Sequence, residues 1–170
     1  MTAIRIERPE DMPQVRIVNE LAFGQPTEAD LVDRLRSVCP DALSLVAVED
    51  GVIVGHVLFT PAIIDAGRRI GGMGLAPLAV RPDHQRQGVG SALARRGLAI
   101  LHAQGCPFVI VLGHPTYYPR FGFERASLHG LTCQWEGVPD EAFMVLIWDA
   151  PPLAGLSGVA AYRAEFNAAM

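Results

Sequence analysis

A chain of 170 residues is long enough for one sizeable hydrophobic core and too short for two domains of ordinary size. We therefore expect a single domain over residues 1–170. Its residues are 50% hydrophobic and 19% charged, a globular balance that excludes a disordered chain. The net charge of −4 offers no global attraction for nucleic acid or for an anionic membrane, and neither is expected as a partner.

The cysteines and the N-terminal residues bear on whether the protein is disulfide-bonded, metal-binding, secreted or membrane-bound. Cys39, Cys106 and Cys133 form no C-x-x-C pair, so neither a disulfide framework nor a zinc site is indicated, and no metal is expected. The first residues lack the apolar stretch of a signal peptide, and no segment approaches a membrane-spanning length. We therefore expect a cytoplasmic location.

The chain begins with a predicted strand and two helices. Alternating Ile4 and Ile6 predict a short strand, and Pro9 then opens a helix. The apolar face of that helix is assigned to Val15, Val18 and Leu21. A second helix is predicted over 27–37, with Thr27 as its N-cap.

Strands dominate the next stretch. The pattern predicts strands over 43–49 and 52–60, and the Asp50-Gly51 pair between them is a strong signal for a two-residue hairpin. A further strand over 70–80 follows the turn at 65–67. A polar loop over 81–88 then leads into a helix predicted over 89–104.

The second half of the chain predicts a crossover and a late hairpin. The near-continuous apolar run at 108–112 is typical of a buried parallel strand, and the preceding helix supplies the crossover that such a strand requires. A short helix is predicted over 117–121. Strands over 131–135 and 143–148 are predicted to pair across Pro139-Asp140, and Pro151-Pro152 ends the regular pattern. Together these elements indicate one mixed α/β domain.

The loop before the long helix carries the strongest chemical signal. It reads Gln85-Arg86-Gln87-Gly88-Val89-Gly90-Ser91. Glycines let the main chain approach an anion, and the unpaired N–H groups and positive dipole at a helix start favour a pyrophosphate there. The Q/R-x-x-G-x-G/A pattern alone is weak, but here it lies between an apolar strand and an amphipathic helix.

A second motif follows about thirty residues later, and the two together resemble the GNAT acetyltransferases over nearly the whole chain. The segment 113–123 reads G-H-P-T-Y-Y-P-R-F-G-F, similar to a branch of bacterial N-acetyltransferases with undefined acceptors. The resemblance implies an α/β fold whose mixed, mostly antiparallel central sheet splays between strands 4 and 5 and is flanked by helices. It also implies acetyl-CoA as the co-substrate.

The resemblance assigns roles to individual residues. Leu78, Ala79 and Val80 match the strand that pairs with the pantetheine arm of CoA and whose amides polarise the thioester carbonyl. The pyrophosphate loop is matched by Arg86, Gln87, Gly88, Val89, Gly90 and Ser91. Tyr118 matches the general acid that protonates the departing thiolate, whereas Tyr117 is expected to be structural.

The chain departs from the family pattern at two positions, and one of the departures leaves the general base missing from its usual position. Many relatives carry a glutamate early in the fourth strand, where this chain has Gly74, and an asparagine that contacts CoA, where it has Val111. The candidates for the base are Glu28, His56 and His114, or a water chain held by backbone carbonyls. The sequence does not choose among them.

The predicted activity is direct acetyl transfer to a primary amine of a small molecule or peptide, without metal or acyl-enzyme. Cys106 lies beside Pro107 before the buried strand, a poor place for a nucleophile. Because no base is evident, an α-amine or another low-pKa amine is favoured. The alternative is an acyl-CoA-binding sensor or interaction module with little turnover. The sequence leaves open the acceptor, the preferred acyl chain and the oligomeric state, with a homodimer as one option.

Overall fold

The chain combines helices and strands, as expected of a mixed α/β protein. The computed structural model of the protein describes residues 2–148 and 157–170. Within these residues the α-helices are α1 (Met12–Phe23), α2 (Thr27–Val38) and α3 (Val89–Ala103). The strands are β1 (Ala3–Ile6), β2 (Leu43–Glu49), β3 (Val52–Asp65), β4 (Arg69–Val80), β5 (Phe108–Leu112), β6 (Glu124–Arg125), β7 (Leu131–Cys133), β8 (Phe143–Ile147) and β9 (Gly158–Ala161).

These strands form a mixed sheet in which most pairs are antiparallel. Hydrogen-bonded neighbours follow the order β1-β2-β3-β4-β5-β8-β6, and β9 pairs with both β3 and β7. β4 and β5 run parallel, with residues 73–75 opposite residues 109–111. The helix α3 lies between them in the chain and supplies the crossover. The predicted fold class is confirmed, and the short β4–β5 ladder fits the predicted splay of strands 4 and 5.

The chain divides into two compact units. The first contains the described residues up to Thr60 together with Ala76–Ile100 and Ala164–Met170. The second contains Pro61–Leu75 and the described part of Leu101–Arg163. β3, β4 and α3 therefore begin in one unit and end in the other.

In the first unit β1, β2 and the first part of β3 form three antiparallel strands, with α1 and α2 in the connection between β1 and β2. In the turn between β2 and β3, Asp50 has φ 51° and Gly51 has φ 76°. Two successive left-handed residues are what a two-residue hairpin turn requires, so the predicted Asp-Gly turn is confirmed. β3 is longer than predicted because residues 63–65 pair with β9, a partner that local pattern does not reveal.

The helices α1 and α2 pack together in the same unit and correct two predictions. Val15 and Val18 are fully buried, but Leu21 is 45% exposed because it lies off the face that they and the buried Asn19 define. The N-cap of α2 is Pro26 rather than Thr27. Its carbonyl accepts the first helical bond, from the amide of Asp30 at 2.8 Å, and Thr27 is already helical.

Two glycines allow α3 to lie close against β3. A Cβ at Gly55 would come within 2.9 Å of Val89 and Leu93, and a Cβ at Gly97 would overlap the ring of Phe59. The side chains of Leu93 and Phe59 fill this contact and are completely buried. Close packing therefore holds the start of α3 against the sheet.

The core of the second unit surrounds β5. Its residues from Phe108 to Val111 are completely buried, and the strand is central in the sheet, with β4 on one side and β8 on the other. The predicted buried parallel strand is confirmed.

The predicted late hairpin is wrong. β8 pairs with β5 and β6, whereas β7 pairs with β9. The stretch at Pro139 instead leads into a 3-10 helix, Asp140–Ala142. The apolar run of β8 gains more burial beside β5 than a two-stranded hairpin offers, with Phe143, Met144 and Val145 all buried. Pro151 and Pro152 lie outside the described residues, and β9 follows them.

Candidate active site

The loop between β4 and α3 exposes the residues that the sequence assigns to an anion. Arg86, Gln87 and Gly88 are exposed, and Arg86 (φ 62°) and Gly88 (φ 85°) adopt left-handed backbone conformations. The side-chain amide of Gln85 donates to the carbonyl of Val80 at 3.0 Å. This side-chain hydrogen bond ties the start of the loop to the end of β4 and leaves residues 86–88 exposed.

The first turn of α3 continues this surface. The amide of Ala92 donates to the carbonyl of Gly88 at 3.0 Å, which makes Gly88 the residue where helical bonding begins. The amides of Val89 and Gly90 precede that bond and lie at the positive end of the helix dipole. Ser91 follows in the same turn. This donor set fits a pyrophosphate, which needs several N–H groups and positive potential.

The last residues of β4 lead into this loop. Ala79 is buried in the core, whereas Leu78 and Val80 are half-buried on the other face of the strand. The parallel ladder with β5 reaches only to Leu75, so the backbone of residues 78–80 lies outside it. The amide of Arg81 donates to the carbonyl of Val54 at 2.9 Å and anchors the end of the strand to β3.

Tyr118 lies in the second unit, at the start of a 3-10 helix, Tyr118–Phe121. Its side chain is 8% exposed and packs edge-on against Phe121 and Phe123. The ring also lies directly over Gly113, where any Cβ would overlap it. Burial, with a smaller contribution from Tyr117, raises the pKa of the Tyr118 hydroxyl, so this group carries its proton at neutral pH.

A second tyrosine of this unit, Tyr162, was not found by sequence reasoning. It follows β9 and is buried, and its hydroxyl accepts a hydrogen bond from the amide of Leu112 at 3.1 Å and donates to the carbonyl of Leu75 at 3.0 Å. Its ring stacks on Trp135 with 5.8 Å between centroids. A tail tyrosine therefore bonds to the backbone of both parallel strands.

Tyr162 also explains why position 74 is a glycine in this chain, whereas many relatives carry a glutamate there. A Cβ at Gly74 would lie 2.7 Å from the Tyr162 ring, closer than packed atoms approach. The ring thus occupies the space into which a longer side chain would project. The only signal in the sequence was indirect, namely a glycine at the position where many relatives carry a glutamate.

The three candidate bases differ in their surroundings. His56 is completely buried in the first unit, where Nδ1 contacts Asn19 Nδ2 at 3.1 Å and Nε2 contacts Ser44 Oγ at 2.9 Å. Burial, with a smaller contribution from Arg36, lowers the pKa of His56 from its ordinary value of 6.5 to about 3. Its imidazole is therefore neutral and enclosed, with Nδ1 accepting from the Asn19 amide.

The other two candidates are accessible. Glu28, at the start of α2 in the first unit, accepts hydrogen bonds from Gln25 at 3.0 and 3.3 Å and is half-buried. His114 belongs to the second unit and is exposed in the loop that precedes Tyr118. Of the three, only these two side chains reach solvent.

Two kinds of feature are absent from the described part of the chain. Residues 2–148 and 157–170 contain no group of three or more histidine, cysteine or carboxylate side chains that could hold a metal ion. No helix within those same ranges combines the length and the apolar character needed to cross a membrane.

Comparison with known proteins gives consistent matches along the chain. A family model described as an acetyltransferase (GNAT) domain matches residues 3–126. The uncharacterized N-acetyltransferase YhbS of Escherichia coli K12 is 38% identical over 165 residues, which cover 96% of this chain and 98% of that protein.

Two crystal structures are similar over most of their length. One is YhbS from Escherichia coli in complex with CoA, with a TM-score of 0.89 and 37% identity over 98% of this chain and 92% of that one. The other is a GNAT family acetyltransferase from Brucella melitensis in complex with acetyl-CoA, with a TM-score of 0.79 and 36% identity over 98% of both chains.

Proposed function

The chain belongs to the GNAT family of acetyltransferases, and from this membership we propose that it transfers the acetyl group of acetyl-CoA directly to a low-pKa primary amine. The observation that carries the proposal is the exposed glycine loop at the start of α3, in a chain similar to structures that contain CoA or acetyl-CoA. Acetyl-CoA supplies the activated acetyl group. The protein supplies binding, orientation and a proton.

The residues proposed to bind CoA are Leu78, Ala79, Val80, Arg86, Gln87, Gly88, Val89, Gly90 and Ser91. The left-handed Gly88 and the first amides of α3 form a donor set suited to the pyrophosphate, and the guanidinium of exposed Arg86 adds positive charge. Residues 78–80 lie outside the β4–β5 ladder, which supports their role as a backbone edge for the pantetheine arm.

Tyr118 is proposed as the general acid that gives a proton to the departing thiolate. Its raised pKa keeps the hydroxyl protonated, as an acid must be before the reaction. Burial among Phe121, Phe123 and Gly113 holds the ring in one place.

Direct transfer, without an acyl-enzyme, is supported by the environment of Cys106. Its thiol is half-buried and donates to the carbonyl of Phe108 at 3.1 Å. Burial raises its pKa, which disfavours the thiolate that a nucleophilic cysteine needs.

The preference for a low-pKa amine follows from the weakness of the available bases. Only a neutral amine attacks a thioester, and near pH 7.4 a lysine with pKa about 10.4 is roughly 0.1% neutral, whereas an α-amine with pKa about 7.7–8.0 is roughly 20–30% neutral. Removing the proton therefore costs about 4 kcal/mol for lysine and about 1 kcal/mol or less for an α-amine. Tyr162 fills the space beside Gly74 and His56 is enclosed, so neither position supplies a strong base.

The first experiment tests whether the protein catalyses acetyl transfer. Wild-type protein is mixed with acetyl-CoA and a panel of amines, and the release of free CoA is followed with a thiol reagent. Amine-dependent release supports acetyl transfer. Tight binding of acetyl-CoA without release by any amine would favour the alternative, an acyl-CoA sensor, for which no feature described above gives specific support.

The second experiment tests the amine class. We compare a lysine-free peptide that has a free N-terminus with an N-acetylated peptide that carries one lysine, and measure kcat/KM for each from pH 6 to 10. The proposal expects the free α-amine to be preferred. A preference for lysine that disappears in Glu28→Gln or His114→Gln would reverse the proposal and identify the base.

We also propose that residues 1–170 act as a single N-acetyltransferase domain. The GNAT model matches residues 3–126 and so includes both the phosphate loop and Tyr118. The cytoplasmic location and the lack of nucleic-acid or membrane partners stay predictions from the sequence.

A further inference from the structure

The hydroxyl of Tyr162 lies where the parallel ladder of β4 and β5 ends. Leu75 is opposite Val111 in this ladder, and in a parallel pair the next hydrogen bond runs from the amide of residue 112 to the carbonyl of residue 75. The Tyr162 hydroxyl bonds to both of these groups, accepting from Leu112 and donating to Leu75. It therefore fixes the last position at which the two strands are held together.

The end of β5 that Tyr162 fixes is connected through Gly113 to Tyr118, the proposed acid. Leu112 is followed by Gly113, whose amide donates to the carbonyl of Ala142 at 2.9 Å. The ring of Tyr118 lies on Gly113 so closely that no Cβ fits between them. A shift of Leu112 would thus move the surface on which the Tyr118 ring rests.

Tyr162 is itself held firmly. Its backbone amide donates to the side-chain carbonyl of Gln134, and the Gln134 side-chain amide donates back to the carbonyl of Tyr162 at 3.4 Å. The ring is enclosed between Trp135 and Gly74. The hydroxyl therefore has a defined position from which to act on the two strands.

We infer that Tyr162 is a positioning residue for acetyl transfer: by bonding to Leu75 and Leu112 it sets the end of the β4–β5 ladder and, through Gly113, the place of the Tyr118 hydroxyl. This inference rests on the proposed function, in which Tyr118 is the acid. Tyr162 does not exchange a proton with the substrate and is not part of the phosphate loop.

The test removes the hydroxyl and keeps the ring. In Tyr162→Phe we expect kcat to fall by about 10- to 100-fold, the usual effect of misplacing a reacting group by a fraction of an ångström to an ångström. KM for acetyl-CoA should stay close to the wild-type value because the phosphate loop is untouched. The control is Trp148→Phe, which changes an aromatic ring that stacks on His102 instead of on Tyr162, retains the Tyr162 hydroxyl and should keep kcat.

A double-mutant cycle separates positioning from a general loss of structure. If Tyr162 acts through Tyr118, adding Tyr162→Phe to Tyr118→Phe should cause little further loss of kcat. Equal losses in both backgrounds, or wild-type kcat in Tyr162→Phe alone, would overturn the inference.

A measurement without turnover keeps this test distinct from the test of the proposed function. The chain has three tyrosines, so 3-fluorotyrosine labelling gives three ¹⁹F resonances that the Tyr→Phe variants assign. Tyr162→Phe should shift the Tyr118 resonance, and Trp148→Phe should shift it much less. An unmoved Tyr118 resonance would refute the positional claim even if the wild type acetylates amines. Absence of amine-dependent CoA release from wild-type protein would instead refute the proposed function.

Discussion

Acidification from pH 7 to pH 5 should weaken the fold through one buried side chain, His56. This histidine is completely buried, and its pKa in the folded protein is about 3, against an ordinary value of 6.5. Between these two values the unfolded chain binds a proton at His56 and the folded protein does not. The free energy of unfolding therefore falls as the pH falls below 6.5, and the loss from this group levels off below about pH 3.

The magnitude follows from linkage. For a group with an unfolded pKa of 6.5 that stays neutral in the fold, lowering the pH from 7 to 5 costs about 2 kcal/mol of stability. Domains of this kind are stable by about 5–15 kcal/mol, so a loss of this size is readily measured. The hydrogen bonds to Asn19 and Ser44 engage both ring nitrogens, and protonation would place a second donor, the Nδ1–H, against the Asn19 Nδ2 donor.

The assay is urea unfolding followed by circular dichroism at pH 7, 6 and 5, for wild-type protein and for His56→Gln. The variant is expected to be less stable at pH 7, but its stability should change less with pH, by about 2 kcal/mol over the range. His114→Gln serves as the control for loss of an exposed histidine. Over the pH range in which the variant is folded, kcat/KM for acetyl transfer should follow the wild-type pH profile, because an enclosed imidazole does not act as the base.

Identical pH dependence in the wild type and in His56→Gln would refute this reasoning. It would mean that His56 gains its proton in the folded protein. A kcat/KM profile that loses its acidic limb in His56→Gln would also return His56 to the list of bases.

Three further substitutions test the remaining assignments. Gly90→Glu places a carboxylate in the first turn of α3 and should abolish acetyl-CoA binding in calorimetry; a folded variant with wild-type affinity would contradict the phosphate site. Tyr118→Phe should lower kcat by about 10²- to 10⁴-fold at unchanged affinity for acetyl-CoA. Wild-type turnover would make this tyrosine structural. Gly74→Ala should cost about 1–3 kcal/mol in urea unfolding, because its Cβ meets the Tyr162 ring at 2.7 Å. Gly71→Ala on the same strand is the matched control, since nothing lies within 4 Å of its Cβ, and equal costs at both sites would refute the packing argument.

Local signals predicted most of the elements. The Asp50-Gly51 turn needs two left-handed residues and has the residue types that adopt them. The apolar run of β5 is long enough to indicate burial on both faces, and the glycines after Gln87 indicate a backbone surface at a helix start. In each case the physical cause lies within a few residues of sequence.

The errors concern partners that are distant in the chain. Burial of an apolar strand can be predicted from its composition, but which strand covers it cannot, so β7 and β8 were paired with each other instead of with β9 and β5. His56 shows the same limit, because the whole stretch from Ile53 to Thr60 is buried and no alternation marks its enclosed position. Tyr162 bonds to backbone groups, which leave no pattern of side chains to detect.

The bonds of the Tyr162 hydroxyl also bear on how the chain becomes active during its synthesis. They join residues 87 and 50 positions apart, so they are among the contacts whose closure a folding chain completes late. About 70 residues separate Ser91 from Tyr162, and a ribosome adding ~5–20 residues per second releases the phosphate loop several seconds before this tyrosine. A nascent chain would therefore carry its proposed phosphate site before the support for its proposed acid is complete, and with the proposed roles turnover would begin only after Tyr162 has docked.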